Sequence, residues 1–164
     1  MNVQTMARCV RRVPAFSIVV WGGLVAGVLD AADGIVAYGI RGLNPIQVLQ
    51  YIASGALGAA AFSGGLLTAG VGAFFHFFIA FVVAGVFYLG SRAIPQLTRH
   101  YIASGLLYGA AVYFVMNYLV LPLSAVAPSQ FSLPMFFNGV IGHAISVGLP
   151  IAWWAHRTSP VEVN

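Results

Sequence analysis

The chain has 164 residues, of which 60% are hydrophobic and 6% charged, and its mean hydropathy is +0.93. A soluble domain carries roughly 25% charged residues, so this balance excludes an ordinary water-soluble globule and describes a one-domain integral membrane protein. The formal charge of +4 comes from seven arginines against Asp30, Asp33 and Glu162. No basic patch interleaved with aromatics is present, which argues against nucleic acid as a partner and leaves membrane orientation as the source of the basicity.

Arg8, Arg11 and Arg12 precede an apolar run and so imitate a secretory signal. The run continues to Ile40, too long for a signal core, and no small-x-small site closes it. We read it as an uncleaved first transmembrane helix over 15–40. Cys9, the single cysteine, excludes an internal disulfide and reads as an ordinary cytoplasmic thiol. Along the first helix Gly23, Ala26, Gly27, Asp30, Asp33, Gly34 and Ala37 follow three-four spacing. Both carboxyls therefore share a small-residue stripe that another helix can approach.

Asn44-Pro45 then starts a helix, Asn44 as cap and Pro45 in the first turn. The pattern runs over 45–62 and is broken by Ser63-Gly-Gly65. If this segment does not cross the bilayer, Arg8, Arg11, Arg12, Arg92, Arg99 and Arg157 fall on the cytoplasmic side and only Arg41 outside. A crossing would move Arg92, Arg99 and Arg157 out, against the positive-inside rule. The expected fold is an all-α membrane protein. Four transmembrane helices form an up-down bundle, with one interfacial or re-entrant helix on the outer face and both termini in the cytoplasm of a bacterial inner membrane.

The second span, 66–91, has no formal charge and a single ionisable group, His76. That histidine lies on a stripe with Ala69, Gly72, Ala73, Ala80, Val83 and Ala84, where a neighbouring helix fits closely. The third span, 100–122, carries the small-xxx-small pair Gly105 and Gly109, and Asn117 near its outer end. The fourth, 132–154, repeats Gly-xxx-His at Gly139 and His143 and ends in an aromatic belt, Trp153-Trp154. Tyr51–Gly55 recurs letter for letter at Tyr101–Gly105. Repeats accompany transport folds, although the two offsets differ.

The segments Asn44–Gly55 and Met116–Ser124 carry a pattern, N-P-I-x-x-L-Q-x-I-A-S-G and M-N-Y-x-V-L-P-L-S, that is similar to a family of small bacterial four-span inner-membrane proteins. The resemblance covers most of the chain. It implies the fold and location and brings no activity, cofactor or site residue.

Intramembrane ionisable groups are functional hypotheses by default. His76 and His143 are each expected roughly 17 Å below the outer surface and Asp30 roughly 15 Å, with Asp33 a turn higher. One reading lines a small-solute, ion or proton path with Asp30, Asp33, His76, Asn117 and His143, in a homo-oligomer. A second makes His76 and His143 axial ligands of a b-type haem between facing helices. A third gives Asp30, Asp33, His76 and His143 to a divalent metal. The remaining reading is a non-catalytic subunit that docks partner membrane subunits by its Gly/Ala faces, each polar group making one interhelical hydrogen bond. No serine lies in a nucleophile-elbow setting and no phosphate-cradling loop occurs.

Overall fold

The computed structural model describes residues 16–128 and 130–158. Arg8, Cys9, Arg11 and Arg12, the expected start of the first helix at 15, and the tail with Glu162 lie outside the described residues. Every regular element among the described residues is helical. Five stretches are long and apolar enough to cross a membrane, namely Ile18–Gly39, Pro45–Ser63, Gly65–Ala93, Tyr101–Val120 and Leu133–Thr158.

A π-helical turn, Ile18–Gly22, leads into α1, Gly23–Gly39. Helix α2, Pro45–Leu57, starts as its sequence requires: the Gln47 N–H donates to the Asn44 side chain, and Gln47 accepts in return from the Asn44 N–H, both at 3.0 Å. It stops at Gly58, whose φ of +59° is left-handed backbone that glycine adopts without strain. The 3-10 turn Gly58–Ser63 follows, then α3, Gly65–Ala93, and the short α4, Gln96–Arg99. Helix α5, Tyr101–Val115, ends in the π turn Met116–Val120. The last helical stretch comprises α6, Leu133–Gly142, the π turn His143–Gly148, and α7, Leu149–Thr158.

Glycines set the packing. A Cβ at Gly23 would stand 2.7 Å from the Phe81 ring and one at Gly27 2.8 Å from the Phe77 ring, so α1 runs antiparallel to α3. Likewise Gly105 lies on Gly148 and Ala152, and Gly109 on His143 and Ala144, so the last helical stretch runs antiparallel to α5. Gly22 packs on Ile151 and Trp154, joining the first helix to the last. These are the small-residue stripes that the sequence marked.

Because α1 and α3 are antiparallel, residues 40–64 leave and return at one end of the molecule. Partners confirm it: Tyr51 packs on Tyr38, Gln50 Nε2 donates to Gly65 O at 3.0 Å, Thr68 Oγ1 donates to Ala61 O at 2.6 Å, and the Ala125 N–H donates to Gly55 O at 2.9 Å. This is also the end that carries Arg41. Arg92, Arg99 and Arg157 gather at the opposite end, where His156 Nδ1 lies 2.9 Å from Thr98 O and Arg157 sits 4.4 Å over Trp153.

The core is concentrated toward that second end. Ala26, Ala84, Phe87, Ile151, Ala152 and Ala155 are sealed from solvent there. Tyr108 closes the seam between α5 and α3, its hydroxyl donating to Val83 O at 2.6 Å and its ring meeting Phe87 edge-on. Toward the Arg41 end the same helices splay around a cavity.

Candidate functional site

The cavity has a volume of about 700 Å³ and extends from the loop residues Arg41, Gln130 and Ser132 down to Ala26, Val83 and Val147. That size is typical of small-molecule sites, which span roughly 300–1,000 Å³. All five candidate path residues, Asp30, Asp33, His76, Asn117 and His143, border it. So do Tyr38, Tyr51, Tyr113, Phe136 and Asn138. Its lining reaches the loops at the Arg41 end and stops at the sealed core toward the other.

Each polar group has its own setting. His76 Nε2 lies 2.8 Å from Gly27 O across the α1–α3 contact. A carbonyl only accepts, so Nε2 carries the hydrogen and Nδ1 is the ring's remaining polar atom. The bond forms because Gly27 has no side chain to hold the helices apart. Asn117, in the π turn after α5, donates to Tyr113 O of its own helix at 3.0 Å. Asp33 Oδ2 accepts from Asn138 Nδ2 at 3.0 Å. Gly142 makes room for that carboxylate, since a Cβ there would stand 2.6 Å from Oδ2.

Asp30 and His143 form the least satisfied pair. His143 Nδ1 is buried with no hydrogen-bond partner, and it faces Asp30 Oδ1 at 3.6 Å. That separation is an ion-pair distance when the imidazole is protonated, but too long for a hydrogen bond. Ser146 Oγ is 3.4 Å from the same carboxylate oxygen, while its hydrogen goes to Gly142 O at 2.6 Å. Asp30 therefore carries a carboxylate with weak protein partners, in a side chain only 20% exposed. His143 opens a π turn, a backbone irregularity that often accompanies functional sites.

The other two ligand sets are not assembled in this arrangement. Among the described residues no three of His, Cys, Asp and Glu stand close enough to hold one metal ion, so Asp30, Asp33, His76 and His143 do not form a common coordination shell. A haem iron needs a free ring nitrogen from each axial histidine. The Nε2 of His76 is committed to Gly27 O, so only Nδ1 of that ring is left to face an iron.

Sequence reasoning did not single out Asn138, Tyr113 or Ser146. A signal for two of them was present: Asn138, Gly142 and Ser146 recur at a spacing of four, a polar stripe along one helix face toward α1. Tyr113 carried no such mark, because its place against Gly139 and the His143 ring depends on how two helices are rotated. No protein-family model, curated protein or solved structure matches the chain.

Proposed function

We propose that this protein is a small-solute transporter of a bacterial inner membrane, built from four spans with residues 45–63 capping the outer end. The antiparallel run of α1 and α3 supports the cap, because a fifth crossing between them would make them parallel. The orientation is supported by charge: Arg92, Arg99 and Arg157 lie at the end opposite Arg41, and the arginine-rich end belongs in the cytoplasm. On this reading the termini are cytoplasmic and the large apolar side chains exposed along the helices, such as Phe74, Phe78 and Leu107, face lipid.

One observation carries the functional reading. Five polar residues from four different helical stretches, each costly in hydrocarbon, border a single cavity that reaches the outer loops and ends on a tightly packed floor. A structural subunit has no need of such a cavity, since each polar group would serve with one interhelical hydrogen bond. A site reached from one side and sealed on the other is what alternating access requires of one of its states. The packed core beneath the cavity favours a transporter over a continuous pore.

The test is uptake into proteoliposomes of a panel of labelled monovalent cations, amines, neutral solutes and anions. Gly34 lines the cavity, and a Cβ there meets nothing within 4 Å, so Gly34→Phe fills the space without striking another helix backbone. A transported solute loses its uptake in Gly34→Phe and in Asp30→Asn. No uptake across the panel, or uptake unchanged in both variants, removes the reading.

A further inference from the structure

We propose that the cavity takes a lipophilic organic cation and admits it sideways from the bilayer, between α1 and α6, through a partition made by the Asn138–Asp33 hydrogen bond. This rests on the transport reading for its site and adds the class of substrate and the route of access.

The ligand class follows from what faces the cavity. Two carboxylates, Asp30 and Asp33, line it, and among the described residues neither has an arginine partner. Arg41, the one arginine on the lining, is at the loop end, eight residues beyond Asp33. Carboxylates at that depth call for a positive charge, and the weak partners of Asp30 leave room for one from a ligand. Much of the remaining wall is aromatic, including Tyr38, Tyr51, Tyr113 and Phe136, and ring faces attract cations. An anion would meet both carboxylates; a small hydrated ion would gain nothing from the rings.

The route is a separate observation. A second concavity, of about 440 Å³, lies on the outside of the helices and is lined by Phe137, Ile141, Ile145 and Ser146 together with Asp33 and Asn138. Asp33 and Asn138 are the two residues that border both spaces. Phe137, Ile141 and Ile145 are each more than half exposed, so this groove faces the acyl chains. Asn138 is an exposed amide beside the exposed Phe137 and Ile141, which is expensive in lipid unless the group serves a purpose. Here the 3.0 Å Asn138–Asp33 hydrogen bond stands between the groove and the cavity. A ligand that uses such an access must itself dissolve in the bilayer.

Binding is measured on the full-length protein in lipid nanodiscs, by equilibrium dialysis of labelled tetraphenylphosphonium and of tetraphenylborate, which has the same shape and the opposite charge. Gly34→Phe in the same nanodiscs supplies the lipid background. The cation is retained above that background and the borate is not. Asp30→Asn and Asp33→Asn each weaken retention by about tenfold, the loss of one charge-assisted contact. Asn138→Ala exchanges the bound cation several-fold faster than any change in its affinity accounts for. Equal retention of the two ions, or unchanged affinity in both aspartate variants, overturns the ligand class; an unchanged exchange rate in Asn138→Ala overturns the lateral route. Retention without vesicle uptake would sink transport and leave the ligand class standing, whereas uptake of neutral or anionic solutes without cation retention would do the reverse.

Discussion

Gly72 offers the sharpest test of how the cap is held. A Cβ at Gly72 would overlap Leu49 O outright and stand 2.7 Å from Leu49 C and 3.2 Å from Ala53 N, all backbone atoms of α2 that no rotamer change can withdraw. Ordinary contact begins near 3.4 Å, so Gly72→Ala must push α2 away from α3 by at least about 1 Å. Gln50 Nε2, now 3.0 Å from Gly65 O and 3.3 Å from Thr68 Oγ1, then loses both partners. Such bonds average about 0.6 kcal/mol in membranes, and forcing a methyl into a packed contact costs about 1–3 kcal/mol. Alanine returns up to about 1 kcal/mol through helix propensity. The net expectation is a loss of about 1–3 kcal/mol.

The control sits two residues away. A Cβ at Gly70 meets nothing within 4 Å, so Gly70→Ala keeps the propensity gain and is neutral or stabilising by up to about 1 kcal/mol. Both variants are compared with the parent by SDS titration of the purified protein in mild detergent, followed by circular dichroism. Because helix and residue type are shared, the difference between them reports the α2–α3 contact. Gly72→Ala as stable as Gly70→Ala would refute the close approach and the cap with it. Helix α2 also brings Tyr51 and Ile52 to the cavity, so the same Gly72 variant should retain less tetraphenylphosphonium.

Three further outcomes are expected. Tyr108→Phe keeps the ring on Phe87 but removes the hydrogen bond to Val83 O, lowering stability in the same titration by about 0.5–1.5 kcal/mol with probe affinity unchanged. His143→Leu removes a buried nitrogen that has no hydrogen-bond partner, so stability holds or rises by about 1–2 kcal/mol. Cation retention by that variant is no weaker, because Asp30 loses its one imidazole competitor at 3.6 Å; a tenfold loss would instead make His143 part of the ligand's own shell. In a Cys9→Ala background, Leu43→Cys and Ser63→Cys react with an impermeant maleimide from one side of sealed vesicles and Gln96→Cys from the other. Labelling of Leu43→Cys and Ser63→Cys from opposite sides would make residues 45–63 a span.

Much of this was legible because hydrocarbon punishes exceptions. The helices follow from uninterrupted apolar length, and bounds fall at Asn44-Pro45 and Pro95, where backbone chemistry leaves little choice; Gly58 ends α2 ahead of the break expected at Ser63-Gly-Gly65. His76 could be set against a neighbouring helix, though not against α1 in particular, because Gly72, Ala80 and Ala84 form a smooth stripe along the same helix. The meeting of Asp30 with His143 was harder to read, since it depends on rotations of α1 and of the π turn that begins at His143. An extra residue in such a turn shifts every later side chain around the axis, and no three-four count reveals it. Asn138 was overlooked for a different reason: it sits on an exposed face, where a polar residue near a helix end looks like interface decoration until Asp33 is seen across from it.

The placement of these irregular turns bears on how a bound solute would leave inward. The floor of the cavity is fixed on one side by the α1–α3 contact, where the Phe77 and Phe81 rings pack on Gly27 and Gly23 and His76 is tied to Gly27 O. On the other side α5 meets the last helical stretch through Gly105, Gly109 and Gly148, backbone against backbone, with no side chains interlocked across these three positions. Smooth surfaces slide where knobbed ones must unpack. The π turns Met116–Val120 and His143–Gly148 lie in these same two helices, and each holds one looser set of backbone bonds that can pass along a helix. Movement of α5 against its partner would carry Tyr108 off Val83 and open the floor beside Phe87, while α1 and α3 stay clamped. On the transport reading, alternating access in so small a protein would set one rigid pair of helices against one sliding pair, with the Tyr108–Val83 and Asn138–Asp33 hydrogen bonds between them.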